Sequence, residues 1–343
     1  MEKYINENLN TLVRSQKKNN IGNSIPMSFK FWAKRLLKLL VELIFITWAV
    51  FTLVFIIFNL VPDQPMLMTT SLSKETPGTT EYEAMAESYR IMFHIDGGIL
   101  NQYIWSIRVL FDGTMGTSWT SGNEVSLTFW SRFGTSVTIG FIAMALSFII
   151  GIPPGIYLAR RQTKFSDLLA SIISVIAFSI PSFVIALVVL GFNAWIGLPI
   201  VYQFGNIFML LMPALVIALP VGFGYTRYLR TSIRNEYGEQ YVALARVKGI
   251  DESKILTKHI LKPALFPIIN YLPFLVVGIF FGSITVESVF GIPGTGKMLI
   301  DAALEHDQSS ILAITFWYTL FTVVSFFVRD LLITFIDPRT RTE

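Results

Sequence analysis

Residues 239–269 read EQYVALARVKGIDESKILTKHILKPALFPII, a stretch with Lys or Arg at 246, 248, 254, 258 and 262 set between long apolar runs. Its meaning depends on which side of a membrane it faces. That the chain lies in a membrane follows from composition: 53% hydrophobic, 14% aromatic and only 15% charged residues among 343 exceed what a soluble globular chain carries. A spanning helix needs about 20 mostly apolar residues, and the windows free of Asp, Glu, Lys and Arg predict six. Leu43 to Val61 is the first and Phe133 to Ala159 the second. The charge-free run Leu168 to Thr226 is long enough for two, divided by the Gly, Pro and Asn punctuation of FNAWIGLPIVYQFGN at 192–206. Pro263 to Val286 and Gln308 to Val328 complete the set, so the expected class is an all-α polytopic membrane protein with six transmembrane helices.

Alternate crossings give an orientation test, because Lys and Arg of short loops concentrate on the cytoplasmic side. With both termini inside, 22 of the 27 Lys and Arg fall in cytoplasmic segments, while 12 of the 23 acids fall outside. Both termini and the opening stretch are therefore expected in the cytoplasm. The net charge of +4 follows from this bias and does not point to nucleic acid. Residues 1–35 read as a cytoplasmic arm, with no apolar core and cleavage site of a signal peptide in the first 30. FKFWAKRLLKLLVEL then leads into the first span, either as a helix at headgroup level or as a topology anchor. With no cysteine, the chain offers no disulfide, Cys-ligated zinc or thiol nucleophile.

The outer loop 62–132 is far longer than a connector. Thr80 stands three residues before Glu83, the spacing of a capping box, and predicts a helix over about 81–93. DGTMGTSWTSG at 112–122 is dense in turn residues. Such a loop serves either as a docking surface or as a cap on the membrane domain.

GIPGTGK at 291–297 has the Gly291, Gly296 and Lys297 spacing of a phosphate-binding loop, and SITVESVF before it could pass for the preceding strand. Met298 replaces the hydroxyl that would bind Mg²⁺, and the charge count puts the stretch outside. It is expected to be a turn at the outer end of the fifth span. His94, His259 and His306 show no metal-ligand spacing, and no enzyme site is expected.

In the opening stretch, Tyr241, Val242, Leu244, Ala245 and Val247 have near-helical spacing, Gly249 supplies a left-handed stop, and Asp251 can cap a second helix running past His259 into the fifth span. By itself this fits either a docking helix or a solvated, topology-setting loop.

The residues Tyr241, Ala245, Arg246, Lys248 and Gly249 resemble the cytoplasmic signature of permeases in binding-protein-dependent ABC importers, in the oligopeptide/dipeptide/nickel branch. The similarity continues through KHILKPALFPII, ESVFGIPGTGKMLIDA and IDPRTR at 336–341, and includes VFTLVFIIFNLVP, GTMGTSW, GIPPGIYLA and FSIPSF. It covers about residues 36–341, the expected permease domain, and ESVFGIPG is similar to the first of the two permease types found in oligopeptide importers. There are two departures: Ala243 stands where sugar importers carry Glu, and GTMGTS lacks the usual acidic residue.

The resemblance implies a type I ABC importer permease fold with a coupling helix in the loop 227–262. Tyr241, Leu244, Ala245, Arg246, Lys248 and Gly249 would address the ATPase. The implied partners are a second related permease, two ATPase subunits, an extracytoplasmic binding protein and membrane lipid. ATP and Mg would sit on the ATPases, with no cofactor on this chain, in a bacterial or archaeal plasma (inner) membrane. Peptides are the implied cargo, with a nickel or other metal chelate as the alternative within the branch. An ion-coupled secondary transporter, the alternative from another class, would need intramembrane ionisable groups, and the second to fourth spans have none. Ser174, Ser179, Ser182, Asn270 and Ser283 are candidate pathway-lining residues, or else helix-packing residues in lipid.

Overall fold

Apolar segments in lipid must close their backbone hydrogen bonds internally, and this chain does so as helices. The computed structural model describes residues 29–60, 79–92, 94–95, 97–160, 165, 168, 172–173, 176, 179–199, 202–203, 206, 208–265, 268, 270–281 and 283–336. In chain order the helices are α1 (Phe29–Asn59), α2 (Thr80–Met92), α3 (Ile99–Phe111), α4 (Val125–Arg160), α5 (Ser182–Trp195), α6 (Phe208–Tyr237), α7 (Gln240–Val247) and α8 (Glu252–Lys254). A π-helical turn, Ile255–Ile260, joins α8 to α9 (Leu261–Ala264), followed by α10 (Leu272–Phe281), α11 (Ile284–Val289), α12 (Thr295–Leu304) and α13 (Gln308–Ile336). Of the N-terminal arm, residues 1–28 lie outside the described residues, and α1 begins within the rest.

Among the described residues, four helices are long and apolar enough to cross a membrane: Ala33–Asn59, Val125–Arg160, Met209–Tyr237 and Gln308–Thr334. The shorter apolar helices Ser182–Trp195 and Leu275–Val289 fall in the third and fifth predicted spans. The reasons for their shortness are local. Pro181, with φ −57° and ψ 142°, precedes α5 and lacks an N–H to extend a helix through it. In the fifth window Ser283 is extended, and its hydroxyl accepts the Val286 N–H at 3.4 Å, starting α11 afresh. The basic lead-in and the first span are one unbroken helix, α1. Its Leu37, Ile44, Phe45 and Leu53 are exposed, as lipid-facing side chains would be, while Phe51 and Phe55 pack on Leu312 of α13. Arg35 donates to Thr334, so the start of α1 and the end of α13 lie at the same end of the molecule.

In the outer segment, the helix predicted over 81–93 is α2, and the hydroxyl that accepts the Tyr82 N–H is that of Thr79, not Thr80. The stretch ILNQYIWSIRVLF also forms a helix, α3, which was not among the expected elements. Tyr103 of α3 meets Phe51 and Phe55 and shares a 2.6 Å hydrogen bond with Thr52 of α1.

At the centre is α4, brought close to its neighbours by glycine. A Cβ on Gly151 would stand 2.6 Å from Tyr225 Cβ and 2.9 Å from the Gly222 carbonyl of α6. One on Gly140 would stand 2.4 Å from Ile279 Cα of α10, and one on Gly155 3.1 Å from Leu229 Cβ. Small residues allow this approach where dispersion, not water exclusion, holds helices together. Near its other end, Phe133 of α4 stacks with Phe280 of α10 and Phe321 of α13, with ring centroids 5.8 and 5.4 Å away.

Gly151→Ala and Gly140→Ala are therefore expected to lower the thermal midpoint of the detergent-purified protein, by the equivalent of about 1–3 kcal/mol of overpacking. Gly134→Ala, in the same helix with nothing within 4 Å of its added Cβ, should not lower it. An unchanged midpoint in Gly151→Ala would refute the close approach.

Candidate functional site: the short helix α7 and the glycine turn

Helix α7 is short and two-faced. Val242 and Ala245, three residues apart, are buried and pack with Ala159, Leu229, Ile233, Ile255 and Ile260. The opposite face carries Tyr241, Leu244 and Val247, with 38%, 62% and 86% of their surface exposed. An apolar row left in water at this density marks a contact surface more often than an accident of composition. Ala245 thus seats the helix instead of facing outward, which revises its expected place among the partner-facing residues.

The end of α7 is closed by two bonds. Gly249 donates to the Arg246 carbonyl at 2.9 Å and Ile250 to that of Ala245 at 3.2 Å, the paired pattern of a Schellman motif. Gly249 has φ +72°, as the sequence predicts, and a Cβ there would meet nothing within 4 Å, so only backbone conformation demands glycine. Asp251 then caps the next helix by accepting the Ser253 N–H at 3.0 Å. The helix expected to continue past His259 does so in π form: Leu261 donates to the Leu256 carbonyl. Pro263 explains the departure, since it has no N–H for the His259 carbonyl and its ring crowds that turn.

Arg246 and Tyr241 are tied within the chain. Arg246 Nε donates to Glu252 Oε1 at 2.6 Å, bracing α7 across the glycine turn, and its guanidinium carbon lies 5.7 Å from the Tyr237 ring centroid. Tyr241 donates to Glu236, and partial burial together with that bond pushes its phenol above the ordinary range. Lys248 is exposed at the C-cap. Tyr241, Leu244, Arg246, Lys248 and Gly249 are brought together at one end of the molecule, around a helix whose seat is the α4–α6 crossing.

At the other end, the phosphate-loop pattern has a different occupant. SITVESVF is no strand but contains helix α11, and its Glu287, 1% exposed, directs its carboxylate into the glycine turn. Oε2 accepts the Lys297 N–H at 2.9 Å, and Oε1 accepts the Ser136 hydroxyl of α4 at 2.7 Å. Ser136 in turn accepts the Thr295 N–H at 2.8 Å. A Cβ on Gly294 would fall 2.2 Å from the Glu287 carboxyl carbon. The loop is thus an anion site at a helix N-terminus filled by the chain's own carboxylate. The Gly spacing is legible in the sequence, whereas the occupant, four residues before the first glycine, is not.

A second buried acid, Asp307, has no signal in the sequence either. Its carboxylate accepts the Ser118 hydroxyl at 2.6 Å, the Trp119 N–H at 3.1 Å and the Ser310 hydroxyl at 2.7 Å, pinning the GTMGTSW turn to the start of α13. This anchorage holds the described part of that turn against the start of α13. Of the candidate lining residues, Ser179 and Asn270 are exposed, Ser182 and Ser283 are half-buried, and Ser174 lies outside the described residues. Ser283 serves as the α11 cap.

Comparison with known proteins finds a family and several relatives. The family described as binding-protein-dependent transport system inner membrane component matches residues 151–342. The chain is 30% identical over 312 residues to the dipeptide transport system permease protein DppB of Lactococcus lactis subsp. cremoris, covering 90% of this chain and 99% of that protein. It is 29% identical over 316 residues to the oligopeptide transport system permease protein OppB of Haemophilus influenzae, covering 91% and 99%. To OppB of Escherichia coli K12 it is 27% identical over 319 residues, covering 90% and 99%.

Glu287→Ala would leave buried N–H and O–H donors without an acceptor and is expected to destabilise by about 1–3 kcal/mol. Lys297→Ala, which keeps the one group of Lys297 that Glu287 uses, its backbone N–H, should leave the thermal midpoint unchanged. Equal midpoints for the two variants would contradict this network.

Proposed function

The chain belongs to the family of binding-protein-dependent transport system inner membrane components, and from that premise we propose that it is the permease subunit of an ATP-driven importer of peptides. The observation that carries the reading furthest is the agreement over nine-tenths of the chain with dipeptide and oligopeptide transport permeases. The four long apolar helices supply the membrane body. In the proposed topology the third and fifth windows complete six crossings, both termini are cytoplasmic, and the outer segment receives an extracytoplasmic binding protein.

The proposed assembly pairs this chain with a second, related permease and with two ATPase subunits that bind ATP and Mg. This chain hydrolyses nothing itself. Helix α7 would enter a groove on one ATPase through Tyr241, Leu244 and Val247. Its inner face rests on the α4–α6 crossing, so a push on α7 is delivered to packed helices and not to a slack loop. Arg246 and Glu252 hold its angle, and Lys248 lies at the rim of the contact. Alternation between outward- and inward-facing states would then follow the closing and reopening of the ATPases.

Coupling is tested in liposomes with the complete importer, by measuring peptide uptake and the hydrolysis stimulated by loaded binding protein. Leu244→Asp places a charge on the exposed apolar row and is expected to lower both rates at least tenfold, with ATP binding by the ATPases retained. Gly249→Val, straining a left-handed position by about 1–2 kcal/mol, should lower both to a smaller extent. Wild-type rates in both variants would remove α7 from the coupling role.

A further inference from the structure

Helix α6 has two unlike faces. Tyr225, Leu229 and Ile233 are buried toward α4, whereas Arg227, Tyr228 and Thr231 on the opposite side are exposed. With Gly224 these three line an open cavity of about 480 Å³. The Tyr228 hydroxyl shares a 2.6 Å hydrogen bond with that of Tyr271, which precedes α10 and is itself 38% exposed beside the exposed Asn270. The cavity therefore opens beside a cluster of hydroxyl, amide and guanidinium groups, with Asn270 and Tyr271 from the fifth predicted span and Arg227, Tyr228 and Thr231 from the part of α6 that continues the fourth span into the loop expected over 227–262.

Depth gives this cluster its meaning. Gly151 of α4 faces Tyr225, and Gly155 faces the Thr226 carbonyl and Leu229, so Arg227 is level with the stretch between those glycines. That level is five to nine residues before Arg160, or about 8–14 Å at 1.5 Å per residue, beside the charge-free run of α4, so Arg227, counted with the loop 227–262 in the sequence, stands on the continuation of the fourth span. A guanidinium at such a level is costly against lipid, and intramembrane cations characteristically face a water-filled pathway or a protein partner. Arg230 and Arg234 on the following turns are engaged within the chain, while among the described residues no carboxylate pairs with Arg227.

Resting on the peptide-import reading, we infer that Arg227, flanked by Tyr228 and Tyr271, receives the terminal carboxylate of a transported peptide near the inner end of the pathway. Every unmodified linear peptide carries that group whatever its sequence, so one guanidinium serves many cargoes. The planar fork fits a carboxylate with two N–H donors, beside the hydrogen-bonded Tyr228–Tyr271 pair. In a water-filled pathway such a contact would be weak enough to release, as a conduction site must be. Tyr228, Thr231, Asn270 and Tyr271 beside Arg227 are neutral, so none of these described neighbours competes as an acid.

The test uses the complete importer in liposomes and compares trialanine with its C-terminal amide, each at concentrations that saturate the binding protein. Arg227→Gln is expected to lower uptake of the free acid about five- to tenfold relative to the amide, the loss of a charge-assisted contact partly screened by water. Arg227→Lys, which keeps charge but not the fork, should fall between; it also supplies the reading if Arg227→Gln does not assemble. An equal fall for both peptides, or no fall, overturns the inference. So does an effect on both peptides that follows the fraction of anionic lipid, which would make a headgroup phosphate the partner of Arg227. If the wild-type complex moves neither peptide, the peptide-import reading itself fails, and that result is distinct from an altered ratio.

Discussion

The approach of α4 to α6 through Gly151, Gly155 and Gly222 sets the position of nearly everything else. Between helices in lipid there is little hydrophobic gain, so contact must come from fit, and fit here is achieved by omitting side chains. Thr226 adds hydroxyl contacts to the Ile150 and Gly151 carbonyls at 3.2 Å, just before Pro153 and Pro154. Proline at 154 leaves the Ile150 carbonyl without its usual partner, and the threonine across the interface meets it. Below this crossing lies the buried cluster on which α7 is seated, and above it lies the cluster that holds Ile139, Ala143, Leu210, Val286 and Phe290.

The outer end is held differently, by two buried carboxylates. Glu287 joins α11, α12 and α4, and Asp307 joins the GTMGTSW turn to α13. Each meets several donors, which satisfies a group too costly to bury alone. Turns rich in glycine have many donors free and little surface for packing, so a carboxylate can fix them where apolar contact cannot. Met115 shows how firmly: it is buried with φ +57°, a conformation a non-glycine residue keeps only when its surroundings hold it.

Much of this was legible in the sequence. The four long apolar spans, the α2 helix to within a residue or so, the Gly249 stop and the Asp251 cap follow from local chemistry, because each depends on side chains within a few positions. What depends on distant partners was not legible. Nothing local tells that Glu287 is folded back into the turn of 291–297, or that Asp307 reaches Ser118. Likewise Ala245 belongs to the signature but faces inward, a fact set by where Ile255 and Ile260 come to rest. The fifth window reads as one apolar run because Ser283 is neutral, yet a neutral hydroxyl is enough to cap a helix and break the span.

The π-helical turn at Ile255–Ile260 has a consequence for how α8 and α9 are phased. A π turn takes up one residue more than an α turn, and one residue is about 100° of rotation in a regular helix. The faces presented by α8 and by α9 are therefore not bound to a single continuous stripe. In evolutionary terms the turn is a store of one residue: a deletion there could be absorbed by reverting to α form, and an insertion elsewhere in α8 or α9 by moving the bulge. The length of the loop is thereby partly released from the geometry of the crossing helices, so its exposed face can shift while the packed helices keep their registration.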